Sequence, residues 1–133
     1  MIVVDASALV ASLTDARYAS VLGPRLALES AHAPSIVDFE VIAAVRAQVR
    51  RGLTHPVAAE QALRSFADLP LRRWNQLGSL YWRAFELSTA VSAYDASYVA
   101  LAEALGCGLI TCDGRLARSA GHGVQIELLR GQG

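Results

Sequence analysis

Four carboxylates stand inside, or at the end of, apolar runs. They are Asp5 in MIVVDAS, Glu40 in SIVDFEVIAAV, Asp95 in VSAYDASYVALAEAL and Asp113 in CGLITCDGRLA. An ionised carboxylate in apolar surroundings is costly unless it is paired or coordinates a metal. Singly, three of them have ordinary explanations. Asp5 and Asp113 stand at strand-to-helix turns, where an acid caps a helix, and Asp95 in a first helical turn favours the dipole. Glu40 is harder to dismiss. The residues three and four further along its helix are Ala43 and Ala44, so no arginine is placed for a local ion pair. A rim-exposed polar stripe shared with Ala47 is the ordinary alternative, and Asp38, two residues earlier, faces elsewhere. Together, in a chain without lysine, the four acids point to one shared counter-charge. A hard divalent cation, Mg²⁺ or Mn²⁺, suits such a donor set. Ions of this kind activate water and stabilise charge in phosphodiester hydrolysis. Ser7 and Thr111 each lie two residues from one of these acids and offer hydroxyls that could orient them from behind.

The elements that must position these residues alternate between strand and helix. The β-branched run Ile2-Val3-Val4 reads as a buried parallel strand closed by Asp5. Ser7 is expected to cap a helix over residues 8–13. A helical region over 17–29 is expected to break or restart at Gly23-Pro24. Residues 32–34 read as a short strand. A long helix over 35–51 is expected to stop at Gly52. Thr54 is expected to cap the next, with Pro56 in its first turn, running to about 67. Residues 71–74 read as an edge strand, 76–88 and 93–105 as helices, 108–111 as a strand, 114–120 as a short helix and 124–128 as a last strand. The tail, 130–133, is expected to fray. This pattern predicts a single α/β domain over residues 1–133, built as a three-layer sandwich around a mostly parallel five-stranded sheet. In open sheets of this type, sites form beyond the carboxyl ends of strands, where Asp5 and Asp113 fall.

Composition sets the outer limits. The chain has 133 residues, is 53% hydrophobic and 18% charged, which describes a folded globular protein. Its 12 acids balance 12 basic residues, all arginine, so net charge lends no support to nucleic-acid binding, and any RNA contact needs a local arginine patch. Cys107 and Cys112 have neither zinc-ligand nor redox spacing and read as reduced, largely buried thiols of a cytoplasmic protein. Neither a signal peptide nor a membrane anchor is evident.

The stretches MIVVDASALVASL, HAPSIVDFEVIAAVRAQVRRG, LPLRRW, LSTAVSAYDASYVALAEALGCGLITCDGRLARSAG and VQIELL, nearly the whole chain, resemble the PIN-domain ribonucleases, and in particular the VapC toxins of bacterial toxin–antitoxin pairs. The YDASYVALAEALG…LITCDGRLA block is the most specific part, and all four acids of the family pattern are present. The resemblance implies a Mg²⁺- or Mn²⁺-dependent endoribonuclease that hydrolyses RNA with a metal-activated water. Asp5, Glu40, Asp95 and Asp113 would form the catalytic metal site, with Ser7 and Thr111 behind them. It also implies a VapB-type antitoxin partner, a toxin homodimer and a toxin–antitoxin hetero-oligomer.

Arg115, Arg118, Arg46 and Arg83 are the arginines best placed to meet RNA, although a solvated surface role is the ordinary reading of each. His32, His55 and His122 read as loop or helix-end residues. Trp74 and Trp82 read as packing residues before base-stacking ones. Phosphoryl-accepting α/β enzymes also carry an acid after the first strand, but need a lysine this chain lacks. The G-x-x-x-x-G-K-[ST] and G-x-G-x-x-G nucleotide signatures are missing from the sequence. A housekeeping RNA-processing nuclease and a non-catalytic binding module of the same fold remain as rivals.

Overall fold

The computed structural model describes residues 1–75 and 77–132. Strand β1 (Ile2–Val4) leads through helices α1 (Ala6–Thr14) and α2 (Ala16–Leu28) to β2 (Ala31–Pro34). Helices α3 (Val37–Arg50) and α4 (Pro56–Asp68) lead on to β3 (Leu71–Trp74). Helices α5 (Ser79–Leu87) and α6 (Ala93–Leu105) return the chain to β4 (Gly108–Thr111), and α7 (Gly114–Ala117) precedes β5 (Ile126–Leu128). The five strands form one sheet in the order β3-β2-β1-β4-β5, and every pairing is parallel. The chain thus moves outward from β1 to β3 and then jumps back to the other side of β1. Right-handed crossovers place α1 to α4 on one face of the sheet and α5 and α6 on the other. The reversal opens a crevice between the carboxyl ends of β1 and β4, where ligands of such sheets bind.

The core explains why the strands read as continuous apolar runs. Ile2, Val3 and Val4 are all buried, because both faces of β1 are covered. Helix α6 lies against β1, β2 and β4 and buries Ala96, Tyr98, Val99, Ala100, Leu101 and Ala102. Burying Val99 and Leu101 alone contributes about 1.5–3 kcal/mol each. The helix starts at a Ser92 cap, whose hydroxyl accepts from the Asp95 N–H. It ends at Gly106, whose φ of 65° requires a residue without a Cβ penalty.

Several local expectations change. Asp5, not Ser7, caps α1, and the Ser7 hydroxyl is turned onto Asp5 instead. Helix α2 passes through Pro24 unbroken, since Gly23 has no Cβ to meet the proline ring. His55 caps α4 through Nδ1, which accepts from Val57 N–H. Thr54 lies one residue before the cap position of a helix that starts at Pro56, and its hydroxyl donates to Gln48. Helix α7 is shorter than expected, and β5 begins at Ile126 rather than residue 124. Helix α5 begins at Ser79, and the expected start at Gln76 lies outside the described residues.

His32 belongs neither to a loop nor to a helix end. It is buried in β2, where Trp74 Nε1 donates to its Nδ1 at 2.9 Å. In the tail, Gln132 N–H donates to the Arg17 carbonyl at 3.1 Å. Among the described residues, no helix is long and apolar enough to cross a membrane.

Candidate active site

The turn that follows β1 fixes Asp5. The carboxylate is 4% exposed and accepts three hydrogen bonds. Oδ1 accepts from Ser7 Oγ at 2.7 Å and from Ala8 N–H at 3.0 Å, and Oδ2 accepts from Thr111 Oγ1. The two hydroxyls are themselves held by the turn that follows β4. Cys112 N–H donates to Ser7 Oγ at 2.9 Å, and Asp113 N–H donates to Thr111 Oγ1 at 3.0 Å. The hydroxyl oxygens approach to 3.3 Å, but both protons are committed to Asp5, so this approach brings two acceptors together. The bracket therefore ties the ends of β1 and β4 to one carboxylate. Burial pushes the Asp5 carboxyl above its ordinary range, against the pull of these donors, and the Asp95 charge adds to the push.

Glu40 sits in the first turn of α3, and the partner that its own helix lacks comes from α6. Tyr98 Oη donates to Glu40 Oε1 at 2.7 Å. Nothing in the sequence singles out Tyr98 for this role. Its position one helical turn beyond Asp95 puts both on neighbouring surfaces of α6. Burial raises the Glu40 carboxyl, and Asp95 and Asp5 raise it further. Burial, then Glu40 itself, pushes the Tyr98 phenol far up, so it stays protonated as a donor.

Asp95 is the electrostatic hub of the four acids. It contributes to the upward push on Asp5 and on Glu40, and its own carboxyl is raised by burial and by Asp113. Ser92 and Arg115 oppose that rise. Asp113 caps α7, accepting from Arg115 N–H at 2.9 Å. Asp95, Asp113 and Arg115 share a cleft of about 390 Å³ with Ser92, Thr89 and Leu116, whereas Asp5 and Glu40 do not line it. The ordinary explanations, Asp5 and Asp113 as caps and Asp95 as a first-turn acid, are thus correct as local chemistry. They do not compete with a shared site, because a cap uses one face of a carboxylate.

In kind, these donors fit a hard divalent cation. They are oxygen ligands, three of them are held above their usual carboxylate range, and each of those is raised in part by the charge of another acid. Among the described residues, no three His, Cys, Asp or Glu side chains are grouped closely enough to hold an ion.

The arginine expectations divide. Arg115 is exposed on the cleft wall, and Arg118 is exposed with its guanidinium against Gly114. Arg46 is exposed beside a different groove, formed by α3 and α4. Arg83 is engaged within the protein. It donates to both oxygens of Glu103 at 2.7 and 3.0 Å, to Glu86 at 2.9 Å and to the Gly121 carbonyl at 3.1 Å. Arg72 and Arg73 are likewise engaged, one over the Trp74 ring and the other with Asp38. Cys112 stands beside the site as an unreactive thiol, pushed up to about 11 by burial and by Asp5.

Comparison with known proteins gives a consistent frame. The family profile described as the PIN domain matches residues 2–121. Ribonuclease VapC12 of Mycobacterium tuberculosis is 44% identical over 129 residues, covering 97% of this chain and 99% of that protein. Ribonuclease VapC9 of the same species is 42% identical over 117 residues, covering 88% of this chain and 89% of that protein. Among solved structures, VapBC2 from Rickettsia felis bound to a DNA fragment from their promoter aligns with a TM-score of 0.69. That alignment covers 98% of this chain and 100% of the other at 16% identity, and it speaks to the fold.

Proposed function

The chain belongs to the PIN-domain family, and we propose that it is a divalent-metal-dependent endoribonuclease acting as the toxin of a VapBC toxin–antitoxin pair. The observation that carries the reading is geometric: Thr111 ties Asp5 after β1 to the Asp113 turn after β4, and Asp95 shares a cleft with Asp113. Full-length similarity to proteins named as VapC ribonucleases supports the substrate class.

In this reading Asp5, Glu40, Asp95 and Asp113 hold Mg²⁺ or Mn²⁺. When bound, the ion supplies Lewis-acid stabilisation of phosphoryl charge and lowers the pKa of water. The protein's own part is to present its carboxylates already oriented. Ser7, Ala8 and Thr111 fix Asp5, and Tyr98 fixes Glu40. Arg115, on the wall of the same cleft, meets the phosphate backbone, with Arg118 beside it.

Partners follow from exposed apolar surface. A groove between α3 and α4, lined by Ile42, Val45, Val49, Ala59 and Leu63, takes an apolar segment of a VapB-type antitoxin. The exposed Tyr81, Trp82 and Phe85 on α5 contribute to a homodimer, and the two surfaces together build a toxin–antitoxin hetero-oligomer. The reaction is assigned to the cytoplasm, where its RNA is.

The test is cleavage of single-stranded RNA by purified protein in Mg²⁺, Mn²⁺ or EDTA, repeated with a co-purified antitoxin. Cleavage that needs the ion and is suppressed by the antitoxin supports the proposal. Cleavage that persists in EDTA removes the metal-dependent mechanism.

A further inference from the structure

His32 is a buried imidazole that the acidic site does not use, and its two nitrogens have fixed roles. An indole N–H can only donate, and Nδ1 accepts from that of Trp74 at 2.9 Å. The ring proton is therefore on Nε2, which meets Ser30 Oγ at 3.0 Å. A second proton would go to Nδ1 and set two N–H donors against each other. It would also place a cation beside Arg72, which pairs with His32 in register and lies over the Trp74 ring at 4.6 Å.

The nearby charges offer no relief. Arg73 lies over Phe66 of α4, so Arg72, Trp74 and His32 occupy the other face of the sheet, under α5 and α6. The acids of those helices are committed elsewhere, Glu86 and Glu103 to Arg83 and Asp95 to the cleft. Glu29 is paired with Arg25 and with the Met1 ammonium. Burial, then Arg72 and that ammonium, holds the imidazole below its ordinary value.

Trp74 stands where β3 meets the start of α3. Its carbonyl accepts from Ser35 N–H at 2.8 Å, and its neighbour Arg73 forks onto Asp38, two residues before Glu40. We infer that His32 is an acid-sensitive latch: neutral, it pins Trp74 and through it the first turn of α3 with Glu40, and protonated, it releases them. His32 is thus a positioning residue. Its effect on cleavage rests on the proposed ribonuclease reading, whereas the latch itself does not. The folded chain takes up this proton less readily than the unfolded one. The stability that the latch contributes is therefore complete above the ordinary histidine value and is lost as pH falls through the depressed one.

The experiment follows imidazole and backbone amide signals by NMR from about pH 7.5 to about pH 5. Wild type is compared with His32→Asn, which keeps an acceptor but cannot titrate, and with Trp74→Phe. In wild type His32 is the last of the three histidines to protonate. The Ser35, Ile36 and Val37 amides carry a transition at the His32 midpoint that His32→Asn lacks. Single-turnover RNA cleavage over the same range falls by up to about tenfold more in wild type than in His32→Asn. Amides that ignore the His32 titration, or a His32 that protonates together with the other two histidines, overturn the latch. Cleavage that falls equally in wild type and His32→Asn overturns its action on the site. Wild type that cleaves no RNA at any pH overturns the ribonuclease reading, and the amide signals then decide the latch alone. Should His32→Asn not melt cooperatively, Trp74→Phe decides: without the indole donor His32 protonates at higher pH, and an unchanged midpoint overturns the latch.

Discussion

Asp5 carries a cost that its hydrogen bonds do not fully offset. Its folded-state carboxyl is raised above the ordinary value, so the folded chain binds the proton more tightly than the unfolded one. Below the ordinary value both states are protonated and the penalty vanishes. As pH rises above the ordinary value and through the raised folded value, stability is lost. Asp5→Asn therefore melts higher than wild type at pH 7 in EDTA, by on the order of 1 kcal/mol. Thermal denaturation in EDTA checks this; a variant less stable than wild type would mean that Asp5 is a structural cap first. Arginines separate in the same way. Arg83→Ala lowers the melting temperature and leaves RNA affinity unchanged, because its contacts are to Glu103, Glu86 and Gly121. Arg115→Ala weakens RNA binding and reduces its salt dependence, with little effect on the melt. Filter binding across salt concentrations distinguishes the two.

At the scale of elements, α6 is the part of the fold that positions most. It carries Asp95 and Tyr98 on one side of the sheet and must end where β4 begins. Gly106 makes that turn at φ 65°, so Gly106→Ala costs about 1–2 kcal/mol in urea denaturation. A smaller loss would show that the turn can relax to another geometry. This region was also the most legible in the sequence. Residues 93–105 and 108–111 were expected as helix and strand, and those are the bounds of α6 and β4. Strong local signals, a serine cap and a glycine stop, agree there with the apolar pattern. The pattern was misleading where a residue had two possible partners. Ser7 suits a cap, but Asp5 caps α1 and takes the serine proton as well. Thr54 suits a cap, but the helix starts at Pro56 and so puts His55 at the cap position. Pro24 suits a break, but Gly23 removes the clash. The pairings of Tyr98 with Glu40, Arg83 with Glu103 and Trp74 with His32 join residues far apart in sequence. No periodicity encodes such contacts, so they become visible only with the fold.

For the whole molecule, zero formal charge and an acidic crevice leave little long-range attraction for RNA. RNA affinity is then expected to depend on the divalent ion as well as on arginine. Binding of a non-cleavable RNA analogue weakens sharply when Mg²⁺ is replaced by EDTA at equal ionic strength; equal affinity in the two buffers would place recognition on arginines alone. The sheet order supplies the setting for that dependence, because the pairing of β1 with β4 places the turns that carry Asp5 and Asp113 side by side. The central claim is that these acids form one catalytic unit. The most direct measurement is single-turnover RNA cleavage by Asp95→Asn, Asp113→Asn and the double variant. Each single change should cost at least about a hundredfold, with the double no worse than the weaker single. Losses that multiply in the double variant, or a single variant with wild-type rate, would contradict it.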